Sequence, residues 1–190
     1  MQSEKLIQTL IEQTRQIITQ VENLKSLDLH TLTWKQDPAS WNILECIEHL
    51  NLYGNFYLPE IEKQIRKSTT TSDKEFKSGF LGNYFAKSML PKEKLNKMKT
   101  FKDKNPVGAK LETSVIDNLI EQQTQLLRLL DLSRNVSLNK VKTGISITKL
   151  IKLKLGDTFQ FFVNHIVRHL KQIERIQTTM KTASHQHTSL

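Results

Sequence analysis

A chain of 190 residues that is 37% hydrophobic and 25% charged suits one globular domain with a sizeable core, and not a fibre, a disordered tail or a disulfide scaffold. No run approaches the roughly 18 apolar residues of a membrane span, the opening MQSEKLIQTLIEQTRQ lacks the continuous apolar stretch of a secretory signal, and the single cysteine, Cys46, excludes an internal disulfide, so no membrane partner and a reducing, cytoplasmic location are expected. The net charge of +9 is uneven: residues 87–110 hold eight lysines against Glu93 and Asp103, and residues 134–154 hold six basic residues and no acid, so these two segments carry more than the whole excess.

With 6 Gly and 4 Pro in the whole length, breakers are scarce and long helices are favoured over many short strands. The first periodic segment runs from about Ser3 to Leu27, with Leu10, Ile17, Val21 and Leu24 on one stripe and Ile7, Ile11 and Ile18 beside it. The second follows DPASWN. Asn42 is placed to cap it, Glu45 stands three residues on at capping-box spacing, and Trp41 is placed to pack on the first turn. Its seam reads Ile43, Ile47, Leu50, Gly54, Tyr57, Ile61 and Ile65, and the pattern continues past Pro59, which predicts a kink there and not an end.

The third segment spans about Leu111 to Leu132, with Val115, Leu119, Leu126 and Leu130 on one face; the fourth runs from near Leu155 to about Lys181 along Phe159, Phe162, Ile166, His169, Ile173, Ile176 and Met180. Four such helices predict an all-α fold, a four-helix bundle with a long crossover between its second and third helices. Within that crossover, residues 68–110, FLGNYFAKSML fits a short helix laid across the bundle. The β-branched, basic stretch 133–154 fits a loop or a short hairpin. Residues 1–181 read as one domain and 182–190 as a polar tail.

Six histidines are present, and three of them fall on inward faces. His165 and His169 are four residues apart in NHIVRHLKQIERI and project from one side of the fourth helix. His49 lies in the row Cys46, His49, Tyr53, Phe56, which flanks the seam of the second helix. A buried imidazole without a partner costs on the order of 1–3 kcal/mol, and three converging imidazoles repel if protonated. A divalent metal answers both difficulties, since neutral imidazole nitrogens bind it and leave positions open for water or substrate. The opposing reading is a set of ordinary core histidines, because a helical pair at this spacing is a weak signal by itself.

The stretch SWNILECIEHLNLYGNFYLPEIEK, followed by LGDTFQFFVNHIVRHLKQIERI, resembles the DinB-like superfamily over roughly residues 5–180. The Trp–Asn cap, the EHL of the second helix, the proline about ten residues later and the H-x-x-x-H-L-x-Q-I of the fourth carry the likeness. The resemblance implies a four-helix bundle with a long crossover, one divalent ion such as nickel or zinc on His49, His165 and His169, and a homodimer. It also implies, for many members, a metal-dependent transferase using a low-molecular-weight thiol such as bacillithiol or mycothiol; hydrolases are the related possibility.

Three functions follow as expectations. The first is an enzyme whose metal holds a thiolate that attacks a small electrophilic substrate, with the basic segments supplying cations for a carboxylate-bearing thiol. The second is a non-catalytic metal-binding stress or interaction protein. The third is nucleic-acid binding, suggested by the charge and by Phe76, Phe80, Tyr84, Phe85 and Phe101 near the basic crossover; the lack of a recognised motif weighs against it. No general acid or base is assigned. Glu45 is explained by its cap, Asn164 by a place on the surface, and Cys46 by a small core role, with a fourth-ligand role as its alternative. Tyr53, one turn after His49, is the candidate substrate-binding residue. His185 and His187 belong to the tail, and His30 has no evident partner.

Overall fold

A computed structural model describes residues 1–90 and 100–187, apart from the side chains of Lys149 and 184–187. The chain is mostly helical: α1 (Ser3–Leu24), α2 (Leu29–Thr33), α3 (Ile43–Lys67), α4 (Phe80–Ser88), α5 (Ser114–Leu132) and α6 (Leu155–His187), with a hairpin of β1 (Lys142–Ile145) and β2 (Thr148–Lys154) before α6. The four long helices are those the apolar stripes predict. α1 and α3 each pack on both α5 and α6. Leu10, Ile17, Val21, Ile47, Leu50, Ile61, Leu119, Leu126, Leu130, Phe159, Phe162 and Ile166 form the core between them.

Several boundaries differ from the sequence expectation. α5 starts at Ser114, where Val115 and Ile116 bury, and leaves Leu111 half-buried outside the helix. α6 continues past Lys181 to His187, since no Gly or Pro interrupts it and the Thr182 hydroxyl donates to the Thr178 carbonyl. His30 lies in α2. Within the stretch 133–154, which fits a loop or a short hairpin, β1 and β2 pair as an antiparallel hairpin, so the chain is not purely α-helical. Alternation decides it: Val141, Thr143, Ile145 and Leu153 turn inward, while Lys142, Leu150 and Lys152 stay outside. The Thr143 and Thr158 hydroxyls bond at 2.5 Å and tie β1 to α6.

The capping box at α3 forms as its spacing predicts. The Glu45 amide donates to Asn42 Oδ1 at 2.8 Å, and the Asn42 amide donates to Glu45 Oε2 at 3.0 Å. The helix runs through Pro59 to Lys67. α4 packs across α6 through its small residues Gly82 and Ala86. Asp157, buried in the first turn of α6, holds its start by accepting from the Ser78 hydroxyl and from the Gly79 amide at 2.9 Å. Segments 91–99 and 188–190 lie outside the described residues.

A β-carbon at position 82 would stand 2.2 Å from the Asp157 carboxyl carbon, with no room to move aside inside this contact. Gly82→Ala should therefore destabilise the protein by about 1–3 kcal/mol through overpacking, read from urea unfolding midpoints. A midpoint equal to the wild type would show that α4 does not sit on α6 this closely.

Candidate metal centre

The histidines come together as a consequence of two helical registers. Ile47 and Leu50 bury one face of α3, and this turns His49 toward α6. Phe162 and Ile166 do the same for α6, so that His165 and His169, one turn apart, face α3. All three rings are buried, at 3%, 5% and 8% exposure, which removes water as their default partner. One nitrogen of each lies within 4.8 Å of the others.

The outer nitrogens fix the orientation of the inner ones. His49 Nδ1 lies 2.6 Å from the Lys104 carbonyl, which can only accept, so Nδ1 carries the proton and Nε2 presents its lone pair. His169 Nδ1 donates likewise to Gln172 Oε1 at 3.0 Å. Nε2 of His165 lies 3.3 Å from Nε2 of His49 and 3.1 Å from Nε2 of His169. His165 Nδ1 is buried with no hydrogen-bond partner. A neutral His165 has one proton for two nitrogens. Placed on Nε2 it serves the neighbouring lone pairs and leaves Nδ1 unfilled; placed on Nδ1 it leaves three lone pairs facing one another.

A divalent ion fits this donor set. Tetrahedral coordination with metal–nitrogen bonds of about 2.0–2.1 Å sets ligand nitrogens roughly 3.3 Å apart, close to the two separations found here. The three histidines could hold a metal ion with Nε2 as the ligand atom, and the acceptors on His49 and His169 orient the rings as outer partners of metal-bound histidines do.

Burial sets the charge state. It lowers the pKa of His49 to about 4 and that of His169 to about 3, and it holds His165 well below the ordinary imidazole range, with the neighbouring histidines adding to the effect. The rings are neutral at pH 7, the form that binds metal.

The cluster lies on the wall of a cleft of about 1130 Å³. Trp41 does more than staple α3: its ring centroid is 4.7 Å from that of His49 and 5.9 Å from that of His169, and its indole N–H donates to Asn105 at 3.1 Å. Tyr53 stands 4.9 Å from the His49 ring and 4.6 Å from the His165 ring. Burial pushes its phenol up to about 12. Phe161 stacks on His165, and Arg168, Gln172 and Arg175 continue the wall along α6.

Other candidates are accounted for. Glu45 Oε1 accepts from Lys35 Nζ at 2.8 Å and from the Gly108 amide at 2.7 Å, in addition to its capping bond, so it serves structure. Cys46 is fully buried in the core and outside the histidine cluster, and burial raises its thiol pKa. Asn164 is not a free surface amide, since it donates to the Ala86 carbonyl at 3.0 Å and helps hold α4. His30 is exposed. Sequence reasoning gave no role to Trp41 at the rings, to Arg168, to Gln172 or to the Lys104 carbonyl. Gln172 was within reach, three residues after His169 on the same face.

A family model described as the DinB superfamily matches residues 10–173, a span that contains all three histidines. No curated protein and no solved structure matches the chain.

Metal-free protein should lose stability as pH falls. Each ring titrates lower in the fold than the ordinary imidazole value of 6.5, so between pH 6.5 and about 4 the unfolded chain binds more protons and is favoured. Stability from the neutral cluster is thus complete above pH 6.5 and declines through that window, by up to about three protons' worth of slope. Urea midpoints in chelator across pH 4.5–7.5 measure this. Equal slopes for wild type and a His49→Gln/His165→Gln/His169→Gln variant would contradict it.

Proposed function

The chain belongs to the DinB superfamily, and from that premise we propose a divalent-metal enzyme in which His49, His165 and His169 hold the ion and a low-molecular-weight thiol attacks an electrophilic substrate in the adjoining cleft. The observation that carries this reading is the meeting of three neutral, secluded imidazoles, oriented from outside by Lys104 and Gln172, on a cleft large enough for two small reactants. Three nitrogen donors without a charged ligand suit a borderline ion, and nickel or zinc is the proposed occupant. When bound, such an ion supplies the Lewis acidity that keeps a coordinated thiol deprotonated near neutral pH.

The chain's own residues do the rest. Trp41, Tyr53 and Phe161 surround the rings with aromatic surface and limit water. The Tyr53 phenol stays protonated at neutral pH and is placed to donate to a substrate oxygen. Arg168 and Arg175 bring positive charge to the α6 wall, which favours a thiol or substrate bearing a carboxylate. Asp37 is the one carboxylate lining the cleft among the described residues, and its Oδ1 already accepts from the amides of Ala39 and Ser40. A thiol that loses its proton on binding needs no such base. The same shortage of a base favours, as second reading, a metal-binding protein without catalysis.

We read the four long helices as the four-helix bundle of the family, with residues 68–110 as the crossover, one domain over 1–181, a homodimer through helix faces and a cytoplasmic setting.

Elemental analysis should find about one divalent ion per chain in protein lacking residues 182–190, falling to background in His49→Ala and in His169→Ala. Thiol consumption is then measured with a panel of electrophiles. Loaded protein should exceed the His49→Ala/His165→Ala/His169→Ala variant. Metal bound without such excess would leave the non-catalytic reading standing, and metal content untouched by either substitution would remove both.

A further inference from the structure

α4 is built inside out. Its inward residues are the small Gly82 and Ala86, while the large Phe80 and Tyr84 stand outward on one stripe with Lys87. Phe80 is 90% exposed and Tyr84 64%. The hairpin packed beside α4 repeats the pattern. Leu150 is 93% exposed and shares the outer face of β2 with Lys152, and Ile147 stands out at 48% at the turn. The two surfaces are joined: Lys154 Nζ donates to the Lys77 carbonyl at 2.5 Å, and Tyr84 and Ile147 both reach the rim of the cleft. Residues 76–90 and 140–154 together hold seven lysines and no acid.

Bulky apolar side chains interleaved with lysines, on a short helix and a hairpin tip, match the interface of a bilayer: apolar groups enter the headgroup boundary while ammonium groups meet anionic lipid. We propose that α4 and the β1–β2 hairpin form a docking face for an anionic phospholipid membrane, bringing the mouth of the cleft to the lipid surface. This departs from the expectation of no membrane partner, which rested on the lack of a spanning run; among the described residues no helix is long and apolar enough to cross a membrane, and surface docking needs no span. Nucleic acid suits this face less well: Phe80 and Tyr84 offer rings to stack on bases, but Leu81, Ile147 and Leu150 are aliphatic and offer none.

The test is flotation of the full chain with vesicles of phosphatidylcholine alone or with a quarter phosphatidylglycerol, at low and high salt. The chain should float with the anionic vesicles at low salt and stay behind with the neutral ones. Phe80→Ser/Leu150→Ser and Lys87→Glu/Lys152→Glu should each weaken binding about tenfold or more, while Leu132→Ser, an exposed apolar change at the end of α5, leaves it unaltered. Circular dichroism and metal content should be the same in all variants; because the two double variants change different exposed residues, either one alone suffices as the test. Absence of flotation with anionic vesicles overturns the proposal, as does wild-type binding by either double variant. Tight binding of a single-stranded oligonucleotide, weakened by the same substitutions while vesicles are ignored, assigns the face to nucleic acid and overturns it too.

Discussion

A neutral imidazole has one N–H and one lone pair, and the site depends on which of them faces inward. His49 directs its proton to the Lys104 carbonyl and His169 directs its proton to Gln172, so two lone pairs point at His165. In a buried setting hydrogen bonds are strong and unmet groups are costly, so the arrangement is either well satisfied or expensive. One proton on His165 cannot satisfy both neighbours and its own second nitrogen. A cation in the middle answers all three lone pairs at once. Placing that chemistry on two long helices keeps ring positions tied to the packing of the core, which is how precision is obtained in a designed or natural site.

The core is accordingly the site's foundation. Ile47 and Leu50 around His49, and Phe162 and Ile166 around His165 and His169, are 0% exposed. Rotating either helix by one position would carry these side chains out and the rings away from each other. The apolar seams and the imidazoles are alternating demands on the same helical surface, and both are met only in one register.

This coupling explains what was legible in the sequence. Helix existence, the inward faces and the convergence of His49, His165 and His169 all follow from periodicity, because burial and side-chain direction share the 3.6-residue repeat. The α3 cap was legible since Asn42 and Glu45 bond locally. What escaped is nonlocal or carries no side-chain signature. The acceptor for His49 is a main-chain carbonyl 55 residues away, and any residue type supplies a carbonyl. Trp41 is close to His49 in sequence, yet its ring is steered onto the histidines partly by Asn105 in a distant loop. The hairpin was undecided because alternation in a short, lysine-rich stretch is weak until Leu153 and Thr143 find α6 and its neighbours.

The return of the crossover, residues 101–108, is more than a connection. A short 3₁₀ turn over Lys102–Lys104 brings the Lys104 carbonyl to His49, Asn105 then receives the Trp41 indole, and the Gly108 amide reaches Glu45. Gly108 has φ of 76°, a left-handed conformation that glycine adopts without the Cβ penalty, and this lets the chain turn away after its last anchor. Three successive contacts therefore fasten one loop to Trp41 and to the first two turns of α3. The proton position on His49, the placement of its aromatic cover and the integrity of the α3 cap are set by the same eight residues. A disturbance of this loop would reach His49 Nε2 without touching any of the three histidines, which makes the segment part of the site.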